Sequence, residues 1–307
     1  MRAFTLDSFE SPPRLRDDLP TPQPGASELL VRVRASSVNP ADAAVAAGML
    51  KGMAEYEFPV TLGRDFAGVV ENVGSALSRY QPGDEVYGFA TLVNATVHSG
   101  SWAEYLVVPE ETSVARKPSG VDFATAGAAP VAALTAIAAI DALELADGAT
   151  VLVVGANGGV GSFFVQLAAA AGANVLATGL PVDDEYLCGL GASEVIDRNA
   201  DVSARIRETY PDGVDALLDL VTRTPDATVL KAGGRLASPI GAAGEGPGRT
   251  NLMASPTTAN LERLAKLLDT GALRVPIQHT YALEQAGAAL EALASTHKQG
   301  KLAITIA

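Results

Sequence analysis

Apolar and polar positions recur with two different periods along this chain, and the change of period divides it into three stretches. From Met1 to about Pro118 the pattern is that of short strands. Glu28–Ala35 (ELLVRVRA) alternates polar and apolar residues, as a strand with one buried face does. Asp65–Asn72 (DFAGVVEN) and Asp84–Phe89 (DEVYGF) are further β runs, separated by turn formers such as Pro82-Gly83-Asp84. Closely spaced strands of this kind predict a small barrel or sandwich. From about Ser119 to Thr250 strands alternate with helices. Val151–Gly155 (VLVVG) is a continuous apolar run, the mark of a strand buried on both faces. A Gly-rich turn follows it, then an apolar helix to about Ala171. Further strands are predicted at Asn174–Thr178, Glu194–Asp197, Val214–Asp219 and Arg235–Ser238. Helices are predicted between them near Asp183–Gly189, Asp201–Thr209 and Thr224–Lys231. Five strands joined by helical crossovers predict an α/β unit with a doubly wound parallel sheet. The last stretch holds two amphipathic helices, about Thr258–Thr270 and Leu283–His297, and a β run at Lys301–Ile306. So short a tail seldom forms a domain, and it is expected to pack on the first stretch.

The segment with the most chemistry is VLVVGANGGVGSFFVQ, Val151–Gln166. An apolar strand enters a turn of Ala156, Asn157, Gly158, Gly159, Val160 and Gly161, and an apolar helix leaves it. Gly158 and Gly159 allow a tight turn and close approach of a pyrophosphate, and Gly161 allows the helix to pack on the sheet. The helix N-terminus offers free N–H groups and partial positive charge to phosphates. A ligand-free glycine turn is the plainer alternative. The second strand ends Ala177-Thr178-Gly179 without the acid that commonly holds the ribose hydroxyls of NAD. Arg198, after the third strand, is the nearest basic candidate for a 2′-phosphate, or else a solvated surface arginine. The expected cofactor is therefore NADPH, with NADH possible.

Composition narrows the setting. A length of 307 residues suggests two domains. The longest apolar stretch, Ala124–Ile140, is interrupted by Thr125, Gly127, Pro130 and Thr135, so no membrane span is expected. Met1–Glu10 lacks the apolar core of a secretory signal, and the chain reads as cytoplasmic. The single cysteine, Cys188, excludes a disulfide framework or multi-thiolate metal site within one chain, and is expected as a small packing residue near a helix end. A net charge of −13 argues against a nucleic-acid partner. His98 lies in a predicted loop beside Trp102, facing substrate or solvent; His279 and His297 read as structural.

Seven segments in order resemble the medium-chain dehydrogenase/reductase superfamily, and most nearly its zinc-independent quinone-oxidoreductase, zeta-crystallin-like branch. They are Ser37–Asp42 (SVNPAD), Leu62–Gly74 (LGRDFAGVVENVG), Gln81–Gly88 (QPGDEVYG), Ala128–Ile140 (AAPVAALTAIAAI), the glycine turn, Leu190–Asp197 (LGASEVID) and His297–Ile304 (HKQGKLAI). The resemblance implies a GroES-like β-rich catalytic domain from residues 1–118 and 251–307, with a Rossmann domain, 119–250, inserted. It also implies an active-site cleft between them, with the nicotinamide at its base. Zinc-dependent relatives carry a Cys near Asn39 and a His-Glu pair at Arg64-Asp65, with Pro130 near the third ligand region. Asn39 and Arg64 are poor zinc ligands, so no metal is expected. Without a Lewis acid, acceptors that take hydride readily are favoured.

By the same similarity Asn39 and Thr135 are expected near the nicotinamide, Val221 and Ile240 along the cofactor cleft, Lys301 at its rim, and Thr178 and Arg198 near the adenosine. Asn39 before Pro40 has a plainer role in shaping a turn, and Thr135 in bonding back to its own helix. Asp42 and Asp65 read as structural acids. The tyrosine that serves thioester reductases as proton donor is missing where Ala43, Ala44, Met49 and Leu50 stand; Tyr56 is the nearest. No catalytic acid is assigned. The expected activity is hydride transfer from NADPH to a quinone or activated enone, both small molecules. The alternatives are a 2-alkenal/enone reductase of the same fold and a non-catalytic NADPH-binding regulatory protein. Loops such as Thr91–Ser101 and Gly241–Thr250 are expected to shape the substrate pocket, and a homodimer is expected.

Overall fold

A computed structural model of the chain describes residues 1–52, 54–76, 79–91 and 96–307. Residues 92–95 of the Thr91–Ser101 loop lie outside them. Along the first part run β1 (Ala3–Leu6), β2 (Arg14–Arg16), β3 (Glu28–Val38), α1 (Pro40–Ala46), β4 (Glu55–Tyr56), β5 (Val60–Thr61) and β6 (Asp65–Val73). After them come β7 (Glu85–Phe89), β8 (Thr96–Val97), β9 (Tyr105–Pro109), β10 (Val114–Arg116), α2 (Phe123–Ala128) and α3 (Pro130–Leu143). The middle is β11 (Thr150–Val154), α4 (Gly159–Ala170), β12 (Asn174–Gly179), α5 (Asp184–Leu190), β13 (Glu194–Asp197) and α6 (Val202–Thr209), then β14 (Val214–Asp219), β15 (Leu230–Ser238) and β16 (Arg249–Asn251). The chain ends with α7 (Thr258–Asp269), β17 (Ile277–Ala282), α8 (Ala286–Ser295) and β18 (Lys301–Thr305). No helix among the described residues is long and apolar enough to cross a membrane.

Two compact units result. One contains Met1–Val131, Pro256–His297 and Lys301–Ala307; the other contains Ala132–Ser255 and Lys298–Gly300. In the first, a sheet runs β10-β7-β6-β3-β18-β17, with β9 also on β3. Its long strand β3 pairs antiparallel with both β6 and β9 over Leu29–Arg32, with β6 on to Ala35, and with β18 over Ala35–Val38. The alternation noted in ELLVRVRA places Leu29, Val31, Val33 and Ala35 in full burial, packed with Phe66, Leu106 and Trp102. A small sheet, β2-β1-β5, adds Phe4 and Leu6 to that core.

In the second unit six strands lie in the order β13-β12-β11-β14-β15-β16, and every neighbouring pair is parallel. Order reverses at β11, so the carboxyl end of that strand is the switch point where open α/β sheets take ligands. Val151, Val153, Val175, Ala177, Ile196 and Leu217 fill the sheet.

Three expectations are corrected. The sheet has six strands rather than five, because Arg249–Asn251 pairs with β15 through too few residues to show a period. The helix expected at Thr224–Lys231 is a single tight turn at Ala227–Val229 followed by strand. There Asp226 accepts from both the N–H and the hydroxyl of Thr228, a local bond that competes with helix, and Val229 and Leu230 suit strand. Cys188 is exposed rather than packed, since it faces outward on the short α5.

Candidate active site

The glycine turn joins β11 to α4 as the spacing of its residues requires. Gly155 has φ +86°, the left-handed region, and a Cβ there would stand 2.5 Å from Val221 Cγ2. A Cβ on Gly161 would stand 2.4 Å from the carbonyl oxygen of Gly155, so this residue lets the first turn of α4 lie on the strand end. Gly158 differs from both. It caps α4 in extended backbone, and a Cβ on it would meet only the Gly155 oxygen at 3.6 Å. The space over Gly158 is therefore open. Gly159, Val160 and Gly161, at the start of α4, have N–H groups with no carbonyl a turn earlier in the helix to accept them. The Ser162 hydroxyl instead donates to the Gly158 oxygen at 2.6 Å.

Neighbouring groups hold this turn. The Gly155 N–H donates to Thr178 Oγ1 at 3.2 Å. Asn157 Nδ2 donates to the Lys298 oxygen at 2.8 Å, and Gly300 N–H returns to the Asn157 oxygen at 2.9 Å. Ala156 is fully buried. Val221 and Ile240 follow the carboxyl ends of β14 and β15, where apolar side chains 61% and 45% exposed await a contact. Arg198 follows β13; its N–H donates to the Gly179 oxygen at 2.8 Å, and its side chain is exposed. Thr135 is buried within α3.

In the first unit a buried polar cluster surrounds Asp65. Ser37 Oγ and Asn39 Nδ2 donate to Asp65 Oδ2 at 2.5 and 2.8 Å, and the Val131 N–H donates to Oδ1 at 2.7 Å. Lys301 Nζ donates to Asn39 Oδ1 at 2.5 Å and lies 3.6 Å from Asp65 Oδ2. Asn39 and Lys301 are thus brought together, although α1 and β18 stand at opposite ends of the chain. Asn39 also caps α1, its N–H donating to Asp42 Oδ2 at 2.8 Å. Burial pushes the Asp42 carboxyl up to about 7, against the pull of the Arg64 charge and the Asn39 N–H. Burial likewise pulls Lys301 down, opposed by Asp65 and Asp42. His98 is exposed, with Nδ1 2.8 Å from the Glu57 oxygen.

Comparison with known proteins gives this geometry a family. Residues 25–119 match the alcohol dehydrogenase GroES-like domain, and residues 190–304 the zinc-binding dehydrogenase family. The quinone oxidoreductase of Lama guanicoe is 30% identical over 327 residues, covering 98% of this chain and 95% of that protein. The chain belongs to the quinone-oxidoreductase branch of the medium-chain dehydrogenase/reductases. Among solved structures of this family, the quinone oxidoreductase from Coxiella burnetii superposes with TM-score 0.88 at 30% identity, covering 100% of this chain and 99% of that one. The Arabidopsis thaliana chloroplastic protein called NADPH-dependent alkenal/one oxidoreductase is 34% identical over 234 residues, 75% of this chain and 59% of that protein. With several plant relatives the match spans only 59–63% of their length.

For a medium-chain dehydrogenase/reductase the bound group would be a nicotinamide dinucleotide, and the residues present fit one. The open space over Gly158 and the bare N–H groups of α4 suit a pyrophosphate. At the adenosine end, Thr178 supplies a hydroxyl and Arg198 a cation, with no acid at the end of β12.

Proposed function

We propose that the protein is an oxidoreductase that carries hydride from NADPH, or less favourably NADH, to a quinone or an activated enone without zinc. The observation that carries this reading is the glycine turn, with its uncapped helix N-terminus and the unfilled space at Gly158. When bound, the dinucleotide supplies the hydride. The turn from Ala156 to Gly161 would hold the pyrophosphate with backbone N–H groups. Thr178 and Arg198 would bind the adenosine end, and the cation of Arg198 would favour a 2′-phosphate. Val221 and Ile240 would cover the cofactor with apolar surface and exclude water. Asn39, Thr135 and Lys301 are proposed cofactor residues on family similarity.

A role without zinc is supported by the occupation of Asn39: its Oδ1 serves Lys301 and its Nδ2 serves Asp65. Positioning of donor and acceptor would then carry much of the rate. The similarity to the Arabidopsis protein favours, as a second reading, small alkenals and enones over quinones. We also propose the domain assignment given by resemblance, a homodimer, and a cytoplasmic setting. Calorimetric titration with NADPH and NADH tests the core of the reading. NADPH binding about 10-fold tighter, or ~1.4 kcal/mol, is the expected result. A folded protein that binds neither nucleotide refutes it. Turnover on a panel of quinones and 2-alkenals then separates the two acceptor classes.

A further inference from the structure

The edge of the first unit's sheet bears a cavity that shares no residue with the Asp65 cluster. Its volume is about 460 Å3, within the range of small-molecule sites. Three pieces of chain wall it. Arg79 and Tyr80 precede β7, Arg116 and Lys117 end the edge strand β10, and Glu262 and Lys266 lie on α7. Glu262, Lys266 and Asp269 recur at i, i+4 and i+7, so one face of α7 closes the cavity. That helix is braced at both ends. The Tyr87 hydroxyl on β7 donates to the Leu261 oxygen. The Gly120 N–H and the Ser119 hydroxyl donate to Asp269 Oδ1 at 2.9 and 3.4 Å.

In a chain of net charge −13, this wall gathers the cations Arg79, Arg116, Lys117 and Lys266. The guanidinium carbons of Arg79 and Arg116 lie 5.8 and 5.6 Å from the ring centre of the buried Tyr80. Burial pushes the Tyr80 phenol up, so the ring adds no negative charge. The four cations are unequally engaged. Lys117 Nζ is used up by Glu85 at 3.1 Å and by the Pro118 and Val121 oxygens at 3.0 and 2.7 Å. Arg116 meets Asp84 at 3.0 Å and the Arg79 oxygen at 3.3 Å. Arg79 comes only within 4.0 Å of Glu262, too far for a hydrogen bond. Lys266 has no ion pair among the described residues, although Glu262 stands one turn before it in the favourable order. Unmet donors on Arg79 and Lys266 therefore share the cavity with one loosely paired acid, Glu262. A guanidinium fork beside an ammonium matches the oxygens of a phosphate.

We propose that this cavity binds a small hydroxylated phosphate ester, its phosphoryl oxygens held by Arg79, Arg116 and Lys266 and its hydroxyl groups turned to Glu262. The volume leaves room for an organic body beside the phosphoryl group. No residue of this site belongs to the glycine turn, and the proposal stands independently of the dinucleotide reading.

Ribose 5-phosphate is the probe, titrated calorimetrically into wild type and three variants at low salt. Wild type should bind it, more weakly as salt rises, and should not bind ribose. The double variant Arg79→Gln/Lys266→Gln should bind it at least ~10-fold more weakly. Glu262→Gln should bind it about 2–5-fold more tightly, because the competitor for Arg79 is gone. Gly158→Ala, in the other candidate anion site, should match wild type. Arg79 and Lys266 are exposed, so the double variant should fold, which far-UV circular dichroism checks; Glu262→Gln decides alone if it does not. A wild type that binds no ribose 5-phosphate overturns the proposal, as does wild-type affinity in the folded double variant. Binding lost in Gly158→Ala and kept in the double variant puts the phosphate at the glycine turn and overturns it too.

Discussion

Adding one methyl group at Gly161, and separately at Gly158, distinguishes the two roles of the glycine turn. A Cβ on Gly161 would stand 2.4 Å from the Gly155 oxygen, 2.5 Å from the Ala156 oxygen and 2.6 Å from the Ala156 Cα. All three are backbone atoms, and none can rotate away. The turn and helix must separate by about 1 Å to reach the ~3.5 Å at which such contacts become favourable. Overpacking of this kind costs about 3 kcal/mol at its upper range, a fall of roughly 6–12 °C in Tm for a domain of this size. Gly158→Ala meets only one atom, at 3.6 Å, and its φ of −77° is open to alanine. Its stability should stay within about 1 kcal/mol of wild type. The methyl would nonetheless occupy the space assigned to the pyrophosphate, and NADPH binding should weaken at least ~10-fold. Thermal unfolding by circular dichroism gives the first quantity, and calorimetric titration the second. Gly158→Ala with wild-type NADPH affinity refutes the claim that phosphate approaches the backbone there, and an unaltered Tm for Gly161→Ala refutes the packing argument.

Three further outcomes are expected. Arg198→Ala should weaken NADPH about 10-fold and leave NADH unchanged, a ratio measured by paired calorimetric titrations; equal loss for both nucleotides excludes the 2′-phosphate role. Lys301→Met should cost about 3 kcal/mol in urea unfolding, because it leaves Asp65 buried without its cation and Asn39 Oδ1 without its donor. Asp42 holds its proton in the folded state up to about pH 7, whereas the unfolded chain releases it near ~4. Its contribution to stability is therefore fully present below about pH 4 and lost as pH rises through about 7. Asp42→Asn should gain on wild type by a few kcal/mol between these limits, and a difference independent of pH in urea titrations contradicts the buried-acid assignment.

Periodicity revealed some elements and local chemistry concealed others. Strands β13 and β14 have the bounds predicted for them because turns delimit both, and β14 is buried along nearly all of its length. The helix expected near Thr224 fails because Asp226 binds Thr228 locally, a choice invisible to a hydropathy pattern. The glycine turn was legible since strand, turn and helix are contiguous. Asn39, Asp65 and Lys301 were not legible as one cluster, because backbone pairing between β3, β6 and β18 brings them together from distant positions.

The place of β18 has a consequence for synthesis. It lies between β3 and β17, so the sheet of the first unit is completed by residues made last. Asn39 and Lys301 are 262 positions apart. At translation speeds of ~5–20 residues per second, β3 waits roughly 15–50 seconds for that neighbour. For that interval the edge of β3 that β18 will cover lacks its partner, and the nascent chain is a natural client for chaperones on the ribosome, while most of the second unit has already emerged behind it.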